Sequence, residues 1–495
     1  VMYSVKFTEE RTLLVHRVER SGIVHAQLGP LHRFDGETST DDAVNDFASV
    51  ASARCVGLDH GECAVGRHGK KIGFLRFWSA KVHRESRMST GRGQVPPYFW
   101  GMKTNATLSS ADLMALEDAH GAHNYHPLPV VLDRGEGVHV WDVEGKKYFD
   151  FLSAYSAVNQ GHCHPHIVGA LQRQSQRLTL TSRAFYNSNL GPFEKFMTDL
   201  FGYDKVLPMN SGVEGGETSN KLARKWGYQK KGIPENKARI LFAHGNFWGR
   251  TLAAISSSDD PLSYKDFGPY MPGYDLIPYN DLDALERELK DPNVCAFMVE
   301  PIQGEAGVVV PDEGYLAGVR RLCTKYNVLF IADEVQTGIA RTGRLLATDY
   351  EDARPDLLVL GKALSGGVFP VSAVLADNEV MMCLKPGEHG STFGGNPLAC
   401  AVAQAALEVV IDEELAANAN KLGMRFREAM QELVESTELV SAVRGKGLLN
   451  AIVINDKPDS STAWDLCVAL KDNGLLAKPT HGNIIRFAPP LVMTA

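Results

Sequence analysis

From Ser109 onward the chain alternates apolar runs of strand length with stretches that repeat at helical spacing, the pattern of a mostly parallel sheet covered by helices. Val138, Val140 and Trp141, then Glu144-Gly145, then the run 148–151 predict a hairpin. The runs 239–243, 296–302, 328–332 and 356–360 are apolar almost throughout, as strands buried on both faces are. Between two of them, Val319, Leu322, Cys323 and Tyr326 recur at i, i+3, i+4 and i+7 and predict an amphipathic helix over 313–327, which closes a βαβ unit. Residues 396–434 read as helix-rich, with Pro397 suited to a first helical position, and 448–454 and 484–487 read as strands of a second layer. The fold class is α/β: a large domain built on the mostly parallel sheet, and a smaller α+β domain assembled from both chain ends.

Before Ser109 the pattern is different. The tract 86–107 holds Pro-Pro and three glycines with no sustained period, the signature of a linker. Residues 1–103 carry 15 Lys/Arg against 11 Asp/Glu, a balance of +4, leaving −12 for the remainder. The stretch 64–93 is basic enough for a targeting sequence if translation begins further in, near Met88 or Met102; the acidic stretch 35–46 favours a poorly patterned extension instead. The expected divisions are a basic N-terminal extension and linker over 1–105, the first segment of the small domain over 106–155, the large domain over 156–410, and the C-terminal small domain over 411–495.

Composition narrows the classes. Over 495 residues, 44% hydrophobic and 22% charged residues with 46 Gly and 24 Pro exclude collagen, a disulfide-built miniprotein and wholesale disorder. A net charge of −8 argues against nucleic acid as the main partner, because phosphate backbones need concentrated Lys/Arg. The eight cysteines are scattered, mostly in apolar runs, which suggests buried free thiols in a reducing compartment, cytoplasm or mitochondrial matrix rather than the secretory route. No run approaches 18 consecutive apolar residues, so no membrane partner is expected.

The strongest chemical signal lies in 328–367, where one apolar strand ends in Asp333-Glu334 and the next ends in Gly361-Lys362. Open α/β sheets bind ligands beyond the carboxyl ends of their strands, so an anion and a cation are offered to one ligand there; a structural ion pair is the competing reading. Pyridoxal phosphate needs such pieces: a Lys for a Schiff base, a carboxylate for the pyridine nitrogen, and a helix N-terminus for the phosphate. Asn210-Ser211-Gly212-Val213-Glu214-Gly215-Gly216 leads into a predicted helix over 217–230 and offers the third piece, although Ser211 and Glu214 equally suit a capping box. Two rival classes are disfavoured. A silent scaffold of this fold would have lost Lys362 or Asp333, and a nicotinamide enzyme would show G-x-G-x-x-G after a strand.

The segments ADEVQTG, RTG, GKALSGG and STFGGNP, in this order, resemble class III aminotransferases, which depend on pyridoxal 5′-phosphate and have fold type I. Within that family, segments 122–127, 153–165, 181–187, 245–251 and 300–311 are similar to the members that act on ornithine. The resemblance implies that Lys362 forms the Schiff base and shuttles the proton, Asp333 holds the pyridine nitrogen protonated, Gln336 bonds the ring's 3-oxygen and Phe247 stacks on the ring. It implies that Ser211, Gly212 and Val213 cradle the phosphate from one subunit and Ser391 with Thr392 from the other, in a homodimer with shared active sites. Arg250 and Tyr125 would take the distal carboxylate of L-ornithine, and Tyr155 would pack near its α-amino end. Arg486 would take a 2-oxoglutarate carboxylate and Glu305 would mask it while ornithine is bound. The implied reaction moves the δ-amine of ornithine to 2-oxoglutarate, giving glutamate-5-semialdehyde, which cyclises to pyrroline-5-carboxylate, and glutamate. Where ornithine-acting members more often carry Thr and Ala, this chain has Ser211 and Gly215; serine there also occurs in acetylornithine aminotransferases, so acetylornithine or 4-aminobutyrate stands as the alternative donor. The family would also continue past Ala495 into a final helix.

Other polar clusters are set aside. His162, Cys163, His164 and His166 crowd together but lack the second ligand pair of a zinc site, and Cys55, His60, Cys63 and His68 are irregularly spaced, so no metal is expected. Asp259-Asp260 and Glu413-Glu414 read as solvated turn or helix-end charges.

Overall fold

The computed structural model describes residues 108–495 together with five short strands nearer the N-terminus. The chain divides into two compact units, Val1–Gly101 and Met102–Ala495. In the first, β1 (Ser4–Phe7), β2 (Leu13–Glu19) and β3 (Gly22–Gln27) form an antiparallel sheet, and β4 (Glu62–Val65) pairs antiparallel with β5 (Gly73–Arg76). Sequence reading placed no element there. The linker tract 86–107 and the residues Cys55, His60 and His68 lie outside the described residues.

The second unit is built on a seven-stranded sheet. Its strands are β9 (Lys205–Met209), β10 (Arg239–Ala243), β11 (Tyr274–Ile277), β12 (Val294–Val299), β13 (Leu329–Asp333), β14 (Leu357–Leu360) and β15 (Ser372–Ala376). Their order is β11-β10-β12-β13-β14-β15-β9, and only β15 runs against the others. The side chains of β14 go alternately to the two faces: Leu358 and Leu360 enter one core cluster, Leu357 and Val359 the other. Burial on both sides is why these strands are continuous apolar runs, each large aliphatic side chain contributing about 1.5–3 kcal/mol. The predicted helix between β12 and β13 is present as Tyr315–Lys325, with Val319, Leu322 and Cys323 buried. Asn396 caps the helix Pro397–Asp412, with Pro397 in its first turn.

The predicted hairpin is formed by β7 (His139–Asp142) and β8 (Lys147–Asp150), with β6 (Leu132–Glu136) added outside β7. A further sheet joins β16 (Val440–Lys446), β17 (Leu449–Ile454), β19 (Lys478–Thr480) and β20 (Ile484–Phe487) in the order β16-β17-β20-β19. Strand β18 (Leu475–Leu476) pairs parallel with β8, so the two ends of the unit share one sheet.

One element differs from its sequence expectation. The helix after β9 spans Gly212–Trp226 rather than 217–230, so the glycine-rich stretch is its first turn and not a loop ahead of it. Packing overrides the poor helix propensity of glycine: a Cβ on Gly216 would stand 2.6 Å from the Trp248 ring. From residue 108 onward, Cys163 is an exposed free thiol and Cys295, Cys323, Cys383, Cys400 and Cys467 are buried free thiols.

Candidate active site

Five parallel strands end at one edge of the large sheet, and a cavity of about 240 Å³ opens beyond them. Gly212 and Val213 come after β9, Phe247, Trp248 and Gly249 after β10, Glu300 and Glu305 after β12, Asp333, Val335 and Gln336 from the end of β13, and Lys362 after β14. Convergence of loops at the carboxyl ends of strands is how an open α/β sheet makes a ligand site.

Asp333 is buried here and Lys362 is half-buried, its amine inside the cavity wall. Burial pushes the Asp333 carboxyl up to about 6, against the Val335 N–H, which donates to Oδ1 at 3.0 Å, and against the Lys362 ammonium. Burial lowers the Lys362 amine, with Asp333 and Glu300 pulling the other way. Burial thus moves the two groups toward each other in proton affinity, the acid up and the amine down. Lys362 also has a left-handed backbone, φ 40°, directly after the strand end.

At the other end of the cavity Ser211 caps the helix Gly212–Trp226. The Ser211 N–H donates to Glu214 Oε2 at 2.7 Å, so the capping box is real. It leaves the first-turn N–H groups of Gly212 and Val213, which have no acceptor within the helix, at the positive end of its dipole. Val335 fixes the first residue as glycine, since a Cβ there would stand 2.8 Å from Val335 Cγ1.

The remaining predicted residues divide between wall and rim. Gln336 is on the wall, with Nε2 donating to the Tyr155 carbonyl at 3.3 Å and Oε1 buried without a partner. Phe247 is on the wall too, its ring 5.3 Å from the Arg250 guanidinium carbon. Arg250 itself is exposed and donates to Ser263 Oγ at 2.9 Å, which donates to Asp260 Oδ2 at 2.9 Å. Asp260, read from sequence as a solvated charge, therefore orients Arg250. Arg486 is buried on β20 and donates to Glu305 Oε2 at 2.9 Å and to the Gly304 carbonyl at 3.2 Å. The Tyr155 ring lies 5.2 Å from the Arg486 guanidinium carbon, and burial raises the Tyr155 hydroxyl. Tyr125 is exposed, with the Lys478 ammonium 5.8 Å from its ring centroid. Ser391 and Thr392 are not on the wall of this cavity: they line a different one with Leu180, Ser182 and Arg183, and Ser391 Oγ accepts from Asn210 Nδ2 at 2.9 Å.

Sequence reading missed Glu300. It is buried between Phe247 and Gly304, whose N–H groups donate to it at 2.9 and 3.2 Å, and burial followed by Asp333 raises its pKa. The signal was available: Glu300, like Asp333, stands at the carboxyl end of a buried strand. The histidine cluster has separate partners, His162 with Asp150, His164 with Glu413 and His166 with Glu408. Among the described residues no group of three His, Cys, Asp or Glu is arranged to hold a metal ion. No helix among them is long and apolar enough to cross a membrane.

The set of polar groups fits pyridoxal phosphate: an amine and a buried carboxylate on one wall, free N–H groups at a helix N-terminus, and the Gln336 amide, whose oxygen is an acceptor with no partner. Comparison with known proteins agrees. Residues 120–495 match the family described as aminotransferase class-III. The mitochondrial ornithine aminotransferase of Drosophila melanogaster is 68% identical over 391 residues, covering 79% of this chain and 90% of its own. That of Rattus norvegicus is 66% identical over 385 residues, covering 78% and 87%. Among solved structures, the ornithine aminotransferase of Toxoplasma gondii is 52% identical with a TM-score of 0.77, covering 78% of this chain and 91% of that one. An acetylornithine aminotransferase from Elizabethkingia anophelis is 63% identical with a TM-score of 0.72, covering 78% and 95%. The chain belongs to the class-III aminotransferases, enzymes of fold type I that depend on pyridoxal phosphate.

Proposed function

We propose that this chain is an ornithine δ-aminotransferase, moving the δ-amine of L-ornithine to 2-oxoglutarate in two half-reactions and giving glutamate-5-semialdehyde and glutamate. The observation that carries this reading is the pairing of the buried Arg486 with the half-buried Glu305, 2.9 Å apart beside Lys362. A free cation there would favour donors whose carboxylate lies next to the reacting amine. With Glu305 over it, that carboxylate has no partner, and the exposed Arg250 offers a cation to a carboxylate far from the reacting carbon. Ornithine reacting through its δ-amine has that shape.

When bound, pyridoxal phosphate supplies an electron sink for the electron pair left as a proton leaves the substrate carbon. The chain's own groups do the rest. Asp333 would face the ring nitrogen, and a cation there reverses the bias of burial and keeps the carboxylate ionised. Gly212 and Val213 would donate to the phosphate, with Ser211 fixing the turn, and Phe247 and Val335 would close on the two ring faces and exclude water. Gln336 would turn its amide to the 3-oxygen. The Lys362 amine, its pKa lowered by burial, would carry the proton between substrate and cofactor. In the second half-reaction the carboxylate of 2-oxoglutarate would displace Glu305 and take Arg486 in a charge-assisted contact of the same kind. Ser391 and Thr392 would complete the phosphate site of a partner subunit, which is consistent with their absence from this chain's own cavity. The mitochondrion is the proposed compartment, after the relatives named above.

The test is amine transfer to 2-oxoglutarate from ornithine, acetylornithine, lysine and 4-aminobutyrate, with Lys362→Ala as control. Ornithine should have the highest kcat/KM, and Lys362→Ala should lower it by about 10³-fold or more while the protein still folds. A preference for acetylornithine or 4-aminobutyrate would transfer the chain to the alternative reading.

A further inference from the structure

The segment that carries Tyr155 is wound backwards. Ser153, Ala154, Tyr155 and Ser156 have φ of 48°, 45°, 60° and 74° in succession, and none is glycine. L-residues visit this region singly, because the Cβ is forced toward the following carbonyl; four in a row make a left-handed turn that persists only if the surroundings impose it. The hydroxyls of Ser153 and Ser156 are buried without partners, so they do not hold the turn.

Main-chain bonds from Tyr155 N–H to the Leu152 carbonyl and from Val158 N–H to the Ser153 carbonyl close the turn, and the side chain that meets its entry is Asp150, the last residue of β8. Its Oδ1 accepts from the N–H groups of Leu152 and Ser153 at 2.8 and 2.9 Å, the entry to the turn. Its Oδ2 takes His162 Nε2 at 2.8 Å. His162 is fixed in turn: its N–H donates to Gly137 at 2.8 Å and its carbonyl accepts from Gly137 at 3.0 Å. Its ring fills the place beside β6 where a Cβ on Gly135 would stand 2.8 Å away. At the output end, the Tyr155 carbonyl takes the Gln336 amide and the Tyr155 ring stands against Arg486.

We infer that Asp150, oriented by His162, is a positioning residue that winds the left-handed turn and thereby sets where Tyr155 meets the amine donor. The inference rests on the proposed function, in which Tyr155 faces the α-amino end of ornithine. A donor without an α-amino group, such as 4-aminobutyrate, has nothing at that end for Tyr155 to meet, so misplacing the turn separates the two donors.

The experiment compares kcat/KM for ornithine and 4-aminobutyrate in the cofactor-loaded wild type, Asp150→Ala, Asp150→Asn, His162→Gln, Tyr155→Ile, and Asp150→Ala combined with Tyr155→Ile. If the wild type does not use ornithine, the proposed function fails, and this inference with it. If it does, Asp150→Ala should lower the ornithine value at least tenfold and the 4-aminobutyrate value less than threefold. Asp150→Asn keeps an oxygen for the two N–H groups and should restore most of the ornithine preference. In the Tyr155→Ile background the same Asp150→Ala change should cost less than threefold, because the group it positions is gone. Equal losses on both donors, or an undiminished loss in the Tyr155→Ile background, would overturn the inference and leave Asp150 as a folding residue. Should Asp150→Ala not fold, His162→Gln decides: a threefold or larger fall in the ornithine to 4-aminobutyrate ratio supports the positioning role, and an unchanged ratio refutes it.

Discussion

Two arginines are buried among the described residues, and they are held in opposite ways. Arg341 is surrounded by acceptors: its Nε and Nη2 donate to Asn159 Oδ1 at 3.1 and 2.5 Å, and its Nη1 donates to the Leu448 and Pro489 carbonyls at 2.9 and 2.7 Å. None of these is a carboxylate, and burial lowers the guanidinium pKa to about 9, with Asp150 pulling the other way. Arg486 has a carboxylate partner in Glu305, yet its Nε is buried with no acceptor at all. The first arginine ties three distant parts of the chain together through neutral dipoles that cannot leave. The second leans on a side chain that is one-third exposed and can swing away, and it keeps a donor in hand. A fully satisfied buried charge is structure; one with a detachable partner and a spare N–H is available to a ligand.

The largest effect should come from removing the staple. Arg341→Met leaves Asn159 Oδ1 and two carbonyls buried without donors, and at about 1–3 kcal/mol each the loss of stability is roughly 3 kcal/mol or more. Urea unfolding of the purified variant measures it, and a change below about 1 kcal/mol would mean the interior relaxes around the missing guanidinium. Glu305→Gln acts on the other arginine and should leave stability nearly unchanged. It removes one charge from the pair and uncovers Arg486, so kcat/KM for ornithine should fall about tenfold while glutamate as donor gains by a similar factor. An unaltered donor ratio would separate Arg486 from donor choice.

The same contrast explains what the sequence disclosed. Arg486 and Glu305 were legible as a pair by resemblance, and the strands that deliver Asp333 and Lys362 were legible from their uninterrupted apolar runs. The role of Arg341 was not legible although it opens the RTG segment, because its partners are main-chain carbonyls and an asparagine, which carry no charge pattern. The left-handed turn at 153–156 was invisible for a related reason: residues without glycine give no local sign of positive φ, and the cause is a carboxylate three residues upstream locked by a histidine nine residues downstream. The start of the helix at Gly212 was lost to the glycines, whose propensity argues against helix while their lack of a Cβ lets this one lie against Trp248 and Val359.

The smallest effect concerns the buried charge that has neither arginine's arrangement, Asp333, which faces a single N–H, the Lys362 amine and the Glu300 carboxyl. In the cofactor-free protein burial holds this carboxyl at about 6 against an ordinary 3.8, so the folded chain keeps a proton there that the unfolded chain has already released. The raised pKa means that stability from this group is present below pH 3.8 and is lost as pH rises through 6, with a limiting slope of about 1.4 kcal/mol per pH unit. Asp333→Asn has no proton to lose, so the difference between the two cofactor-free proteins in urea unfolding should grow in favour of the asparagine across that window. Loading with pyridoxal phosphate places a cationic ring nitrogen against the carboxylate of the wild type, which should abolish the slope and reverse the preference. A difference that stays flat in the cofactor-free pair would mean that Lys362 already neutralises Asp333 as Glu305 does Arg486, and that both of these buried charges rest on partners rather than on burial.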